Sequence, residues 1–266
     1  MKRWIIYGLL VLGAYLVVLV ATLPASRVYQ LAAATLPPSI QLYGLKGSLW
    51  SGSADTLVLA SQRYRNARWQ LQPLSLLSGA MVFELDLDNG ASLLQGRAGV
   101  DIFGNLILRN VSLQQDLGDI QALAQVAPIS LGGKISGRID AVKMSRRQIA
   151  SAQANFTLRD VAFLLPRRTP WGDFKLDIEK PDSDTLVKVR DQGGPLRADG
   201  LITIDDANQY QINIALEAAA DASPDLIQGL NYVGPRGGDG KTRLTNGGSL
   251  TQLLGGDSGQ APASGN

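Results

Sequence analysis

Twenty consecutive residues, Trp4–Leu23, carry no charge. Wound as a helix at about 1.5 Å per residue they reach about 30 Å, the hydrocarbon thickness of a bilayer, so the rest of the chain is read as tethered to a membrane. Lys2 and Arg3 precede the run, and flanking positive charge is retained on the cytoplasmic side. Residues 1–3 are therefore expected in the cytoplasm, 4–23 across the membrane and 24–254 beyond it as one β-rich domain. Trp4 and Tyr7 suit the headgroup level, where amphipathic rings settle. A cleaved signal peptide is the rival reading, but its apolar stretch runs only about 7–15 residues and ends in small residues. Here the run is longer, and Leu23 and Pro24 make a poor cleavage site before Ala25. A buried core helix would show a polar stripe, which this segment lacks.

Cysteine and histidine are both absent from all 266 residues. Without cysteine there are no disulfides, thiolate metal sites, thiol nucleophile or lipoprotein anchor, and an oxidising compartment is tolerated. Without histidine the Ser-His-Asp triad, most zinc sites and the usual general base near neutral pH are gone. The expectation is a protein that is not an enzyme and carries no cofactor or metal. A formal net charge of +2 lacks the concentrated basic footprint of a nucleic-acid surface, so no nucleic-acid partner is expected.

Beyond the run, apolar and polar residues alternate with period two, the signature of half-buried strands. Phe83, Leu85 and Leu87 alternate with Glu84, Asp86 and Asp88; Phe174, Leu176 and Ile178 with Lys175, Asp177 and Glu179; Tyr210, Ile212, Ile214 and Leu216 with polar or small partners. Shorter runs fall at Ala67–Pro73, Asn105–Gln114, Lys134–Val142 and Ala154–Phe163, parted by turn-forming Gly, Pro, Asn and Asp. Glycine, 29 of 266 residues, exceeds the usual share of about 7% and fits a turn-rich chain. Helices are expected at Arg27–Leu36, Asp119–Val126 and Ser223–Asn231, the last with Ser223 as cap and Pro224 in the first turn. The Gly- and Ser-rich tail, 255–266, is expected to be disordered.

Two halves, about 40–115 and 128–217, present similar series. Ala54–Ala60, Ala67–Leu71, Pro73, Phe83–Leu87 and Gly96–Ile102 come in one; Ile139–Met144, Ala154–Leu158, Pro166, Phe174–Ile178 and Ala198–Ile204 in the other. A duplicated meander would give this order, and so would the period that all strands share. An open sheet of this kind has an apolar face to cover, by its own curling or by a partner.

Candidate sites are few. Gly240-Lys241-Thr242 superficially resembles a phosphate loop, but the required earlier glycine is Pro235, with no strand before and no helix after. Glu84, Asp86 and Asp88 sit about 7 Å apart along one strand face, too spread to converge on calcium. Arg146-Arg147 and Arg167-Arg168 are basic pairs beside turns, the ordinary place for surface charge. A serine–lysine dyad lacks its S-x-x-K signature, and the lysines are expected in turns or on polar faces.

The most specific stretch is YGLKGSLWSG, residues 43–52, where Gly47 and Gly52 frame Trp50; ARWQLQPLSLLSG comes next at 67–79, with Trp69 and Pro73. Together with the blocks Asp119–Gly137 and 234–250, these residues resemble the general secretion pathway protein N family, the N component of bacterial type II secretion systems. The resemblance covers about residues 1–254. It implies a single-pass inner-membrane protein with an elongated, curved antiparallel β-sheet domain in the periplasm, similar to AsmA-like proteins. It implies a non-enzymatic accessory subunit that makes protein contacts with other secretion subunits, in the inner-membrane platform or the outer-membrane secretin, and contacts the lipid bilayer through residues 4–23. Gly47, Trp50, Gly52, Trp69 and Pro73 are carried over as structural signature positions, and Lys2 and Arg3 as topology determinants; no catalytic, cofactor or metal residues are transferred. Gly47 and Gly52 are expected to allow turns at either end of a short strand, with the Trp50 ring on the apolar face of the sheet. The alternative is an AsmA-like lipid-handling or envelope-biogenesis protein, in which the dry sheet face holds a lipid ligand.

Overall fold

The computed structural model describes residues 22–32, 40–59, 62–90, 92–119, 131–145, 148–164, 167–234 and 236–250, together with Tyr7 and Tyr15. The expected span lies outside them apart from Tyr7, Tyr15, Thr22 and Leu23, and the expected tail lies wholly outside. Tyr7 and Tyr15 are helical and exposed. Among the described residues no helix is long and apolar enough to cross a membrane.

The first element is a helix, α1 (Ala25–Ala32), followed by strands β1 (Ile40–Gly47), β2 (Ser51–Leu59) and β3 (Gln62–Leu71). A short helix, α2 (Pro73–Leu77), leads to β4 (Ala80–Asp88), β5 (Leu93–Asp101), β6 (Leu106–Asp116) and β7 (Leu131–Met144). Then come β8 (Ile149–Phe163), β9 (Thr169–Glu179), β10 (Thr185–Gly193), β11 (Leu196–Ile204) and β12 (Gln209–Ala218). Helix α3 (Pro224–Val233) and strand β13 (Thr242–Ser249) complete the order. Each strand pairs antiparallel with the next, giving one sheet of 13 strands in chain order that does not close on itself.

The alternating runs fall on strands, apart from residues at the ends of two of them, because only a strand sends their apolar residues to one side. The run Ala67–Pro73 stops earlier, at Leu71: Pro73 has no N–H to give a ladder and its fixed φ suits a helix start, so it opens α2. Helix α1 begins two residues before Arg27, and the later part of that expected helix lies outside the described residues. Leu117–Asp119 are helical, and the rest of the helix expected there also falls outside. Ser223 caps α3 as expected, its hydroxyl accepting from the Leu226 amide at 3.3 Å. The suspected repeat matches β2–β3–β4–β5 with β7–β8–β9–β11, leaving β10 without a counterpart.

The sheet curls. Tyr64 of β3 is buried and its hydroxyl accepts from the Gln115 side chain of β6, although β4 and β5 lie between them. Three strand spacings amount to about 14 Å on a flat sheet, so the two strands lean toward each other across one face. Two larger cores form, with a small third cluster of Ala80, Val82 and Ile107. Ala54, Leu57, Tyr64, Ala67 and Leu87 make the first, flanked by Trp69 and Leu94. Val161, Phe174, Leu196 and Ala198 make the second, where Leu226 and Leu230 of α3, one turn apart, press onto the strands.

Candidate functional site

The first corner of the sheet is where the signature residues meet. Gly47 of β1 pairs with Gly52 of β2 across the loop Ser48–Trp50. Gly52 in turn pairs with Trp69 of β3. The two glycines therefore face each other across a hairpin rather than closing the ends of a strand, and Trp50 is a half-buried loop residue rather than a sheet-face residue. The two-strand pairing over a three-residue loop explains both differences.

The packed ring is Trp69. A methyl group on Gly52 would stand 2.5 Å from Cζ2 of Trp69 and 2.6 Å from the Lys46 carbonyl oxygen, so only glycine lets the indole lie here. Gly47 has φ +84° and a methyl there would meet the Ser51 carbonyl at 2.6 Å, a second position that requires glycine. The indole N–H of Trp69 donates to the Leu49 carbonyl at 3.0 Å. The Leu71 amide donates to the Trp50 carbonyl at 2.6 Å, and the Ser48 amide to the Ser51 carbonyl at 2.9 Å. This loop also holds the incoming chain: the Leu49 amide donates to the Leu23 carbonyl at 2.9 Å and Pro24 bridges to Ser48. Leu23 is the last residue of the uncharged run. Nearby, the Tyr29 hydroxyl of α1 accepts from the Leu42 amide on β1 at 3.2 Å, covering part of that strand edge.

Pro73 stands at the same end of β3, two residues past Leu71, where α2 carries the chain to β4. Lys2 and Arg3 lie outside the described residues.

The other candidates hold ordinary surface roles. The Gln72 side chain donates to Glu84, the Gln95 side chain to Asp86 at 2.9 Å, and the Gly90 amide to Asp88 at 2.7 Å, so the three carboxylates serve three separate contacts. Among the described residues no group of three or more acidic, histidine or cysteine side chains could hold a metal ion. Gly240 and Lys241 close a tight turn in which the Gly237 amide donates to the Lys241 carbonyl at 2.8 Å, and Thr242 is buried as it starts β13. A strand, not a helix, follows this turn, so no helix start points its amides at a phosphate here. Asp239 in that turn is held below the usual carboxylate range by the Lys241 amide, against the upward push of burial, with Arg243 adding to the lowering. Arg146-Arg147 lie outside the described residues.

A charged ladder runs across β9 and β10 beside an open groove of about 480 Å³. Asp177 binds Lys175 at 3.1 Å and Arg190 at 2.6 Å, and Lys188 pairs with Glu179. Burial pushes the Asp177 carboxyl up, but the two cations outweigh it and hold it low. Lys180 lies in the turn after β9, within the expectation of turns or polar faces, but its side chain is only 7% exposed, its ammonium donating to Asp206 at 2.7 Å and to the Ser183 carbonyl. Asp177, Glu179 and Asp206 each meet a cation, which is the pattern of a structural ladder.

A family model described as type II secretion system protein N matches residues 38–245. The chain belongs to that family. The match begins just before β1 and ends inside β13, so it covers twelve strands and the start of the thirteenth, including the tryptophan–glycine corner. The type II secretion system protein N of Aeromonas hydrophila is 27% identical over 249 residues, spanning 92% of this chain and 98% of that protein. No solved structure matches. Family membership supports an accessory role in type II secretion and protein transport.

The sequence marked the corner by its glycines but missed the bond from Leu49 to Leu23 and the role of Trp69 as the ring on Gly52. Four residues separate Gly47 from Gly52, a spacing that also suits a hairpin.

Proposed function

We propose that this chain is a non-catalytic accessory subunit of the type II secretion system, held in the inner membrane by residues 4–23, with its amino terminus cytoplasmic and residues 24–254 in the periplasm. The observation that carries this reading is the open sheet whose first corner is bonded to Leu23, the end of the uncharged run. A span that passes straight into a rigid sheet makes a fixed platform for protein contacts. Gly47, Trp50, Gly52, Trp69 and Pro73 serve that platform as the residues that shape its corner. The partners are other secretion subunits, in the inner-membrane platform or the secretin. Strand β13 ends the sheet and offers an edge for strand addition.

Deleting the gene and measuring release of folded exoproteins, together with crosslinking from β13 in the full-length protein, tests this. Reduced release and crosslinks to secretion subunits are expected. Normal release with no crosslink would overturn it. Topology is tested separately with reporter fusions at the amino terminus and after residue 250.

An AsmA-like lipid-handling role is the second reading, favoured by β4, where Phe83 and Leu85 stay only half-buried on a face that no second sheet covers among the described residues. Lipid mass spectrometry on the purified full-length protein distinguishes it: stoichiometric lipid retained through exchange into lipid-free detergent supports this reading, and a clean protein opposes it.

A further inference from the structure

Because every strand reverses direction, the connections fall alternately at the two ends of the sheet. The loop Ser48–Trp50, helix α2, the turn after β5 and the turn after β7 all lie at one end, which is the end that receives Leu23. Four strongly exposed apolar side chains of the described residues are gathered at this rim, while Tyr232, 83% exposed, lies at the opposite end. Leu77 is 87% exposed, Phe103 80%, Leu74 77% and Ile102 76%. Just behind them, Met81, Val100, Leu106 and Met144 pair in a row across β4, β5, β6 and β7, and all four are exposed.

These side chains are held, not loose. The Ile102 amide donates to the Gly79 carbonyl at 2.9 Å, tying the turn after β5 to the exit of α2. Gly79 has φ +69°, and a methyl there would already touch Ile102 at 3.4 Å. Asp101 accepts from the amides of Phe103 and Asn105, both at 2.9 Å, from the Asn105 side chain at 2.8 Å and from Lys143 at 2.9 Å. A rigid scaffold therefore presents a contiguous apolar patch, which on a soluble surface marks a binding site.

We propose that this rim rests on the bilayer, with Leu74, Leu77, Ile102 and Phe103 entering the acyl boundary as a second foothold beside the span. The inference rests on the reading of residues 4–23 as an anchor. What selects lipid over a protein partner is the missing slack: Leu23 ends the apolar run and its own carbonyl is bonded to Leu49, so the corner sits at the membrane surface. Successive strands about 4.8 Å apart bring α2 and the Ile102–Phe103 turn within roughly 10–20 Å of that corner along the rim. Side chains at this distance from a span meet the headgroup and acyl boundary, where an apolar face sinks about 5–10 Å. Further along the same rim the character changes: the β9–β10 and β11–β12 connections expose Asp182, Asp205 and Asp206. An anionic leaflet repels that part, so the sheet stands on its first half and lifts away over its second.

The chain has no cysteine, so one fluorophore can be placed at a time in the full-length protein reconstituted into phosphatidylethanolamine–phosphatidylglycerol vesicles. Labels on Leu77→Cys and Phe103→Cys are compared with labels on Tyr232→Cys, exposed at the opposite end, and Asp206→Cys on the acidic rim, using quenchers carried on lipid acyl chains. Severalfold stronger lipid quenching at 77 and 103 than at 232 and 206 is the expected result. Equal quenching at all four overturns the proposal. So does shielding of 77 and 103 from an aqueous quencher without lipid quenching, because a protein then covers the rim. A label on Tyr15→Cys reads the span independently: quenching at 15 but not at 103 keeps the anchor and discards the rim contact, and quenching at 103 but not at 15 does the reverse.

Discussion

The two halves of the sheet are made from the same alternating strands, yet they are finished differently. In the first half the core around Tyr64 and Ala54 receives no side chain from a described helix, and the rim is apolar and bonded to Leu23. In the second, Leu226 and Leu230 of α3 close the core over Phe174, and the same rim is acidic. Strand periodicity decides that a sheet forms; the connections decide what each part of it does. The Ser48–Trp50 loop, α2 and the Ile102–Phe103 turn make a base, whereas α3 makes a lid over a core.

The strongest way to break this comparison is to empty the lidded core. Phe174→Ala removes a buried ring from beneath α3 and is expected to cost about 4 kcal/mol, read from urea unfolding. Leu87→Ala, in the unlidded core, serves as its counterpart. If the sheet unfolds as one unit, both shift a single transition; two transitions, each moved by only one variant, would show that the halves are separately stable. Next in size is Gly52→Ala. Its methyl meets a main-chain oxygen at 2.6 Å and the Trp69 ring at 2.5 Å, an overpacking expected to cost about 2 kcal/mol. Tryptophan fluorescence should shift with it, since the Trp69 bond to Leu49 must move. An unchanged midpoint would mean the corner relaxes freely.

These features differ in how far the sequence announced them. Alternation at Phe83–Leu87, Phe174–Ile178 and Tyr210–Leu216 was readable because period two survives in any strand with one dry face. Ser223-Pro224 announced α3 because a cap and a first-turn proline act locally. β10 escaped notice: Val187 and Val189 alternate with Lys188 and Arg190 over four residues only, and half-buried Leu186 just before them blurs the pattern. The Trp69–Gly52 contact and the Leu23–Leu49 bond join residues 17 to 26 positions apart, and no local pattern encodes which loop a chain end will meet. Lys180 shows the same limit: the acid it meets, Asp206, comes from another turn of the sheet.

A smaller effect belongs to the lid alone. Ser223→Ala removes the hydroxyl that satisfies the Leu226 amide and should cost about 1 kcal/mol. Hydrogen exchange should quicken in α3 and β12 while β1–β3 stay unchanged; acceleration in both halves would dissolve the distinction between them.

The subtlest test concerns the base, and it is a change of slope with pH. The Asp101 carboxyl is held well below its ordinary value by the Asn105 amide group and then by Lys143, against the opposing push of burial, with the main-chain amides of Asn105 and Phe103 adding to the lowering. The unfolded carboxyl, titrating near pH 4, binds a proton before the folded one does, so the stabilisation is complete above that pH and is lost progressively as pH falls through it. Asp101→Asn cannot titrate. The gap in urea midpoint between wild type and variant should therefore be widest near neutrality and narrow below about pH 4. A gap that stays constant across this range would mean that Asp101 acts by shape alone, and that the turn carrying Ile102 and Phe103 needs no charge to stay presented at the rim.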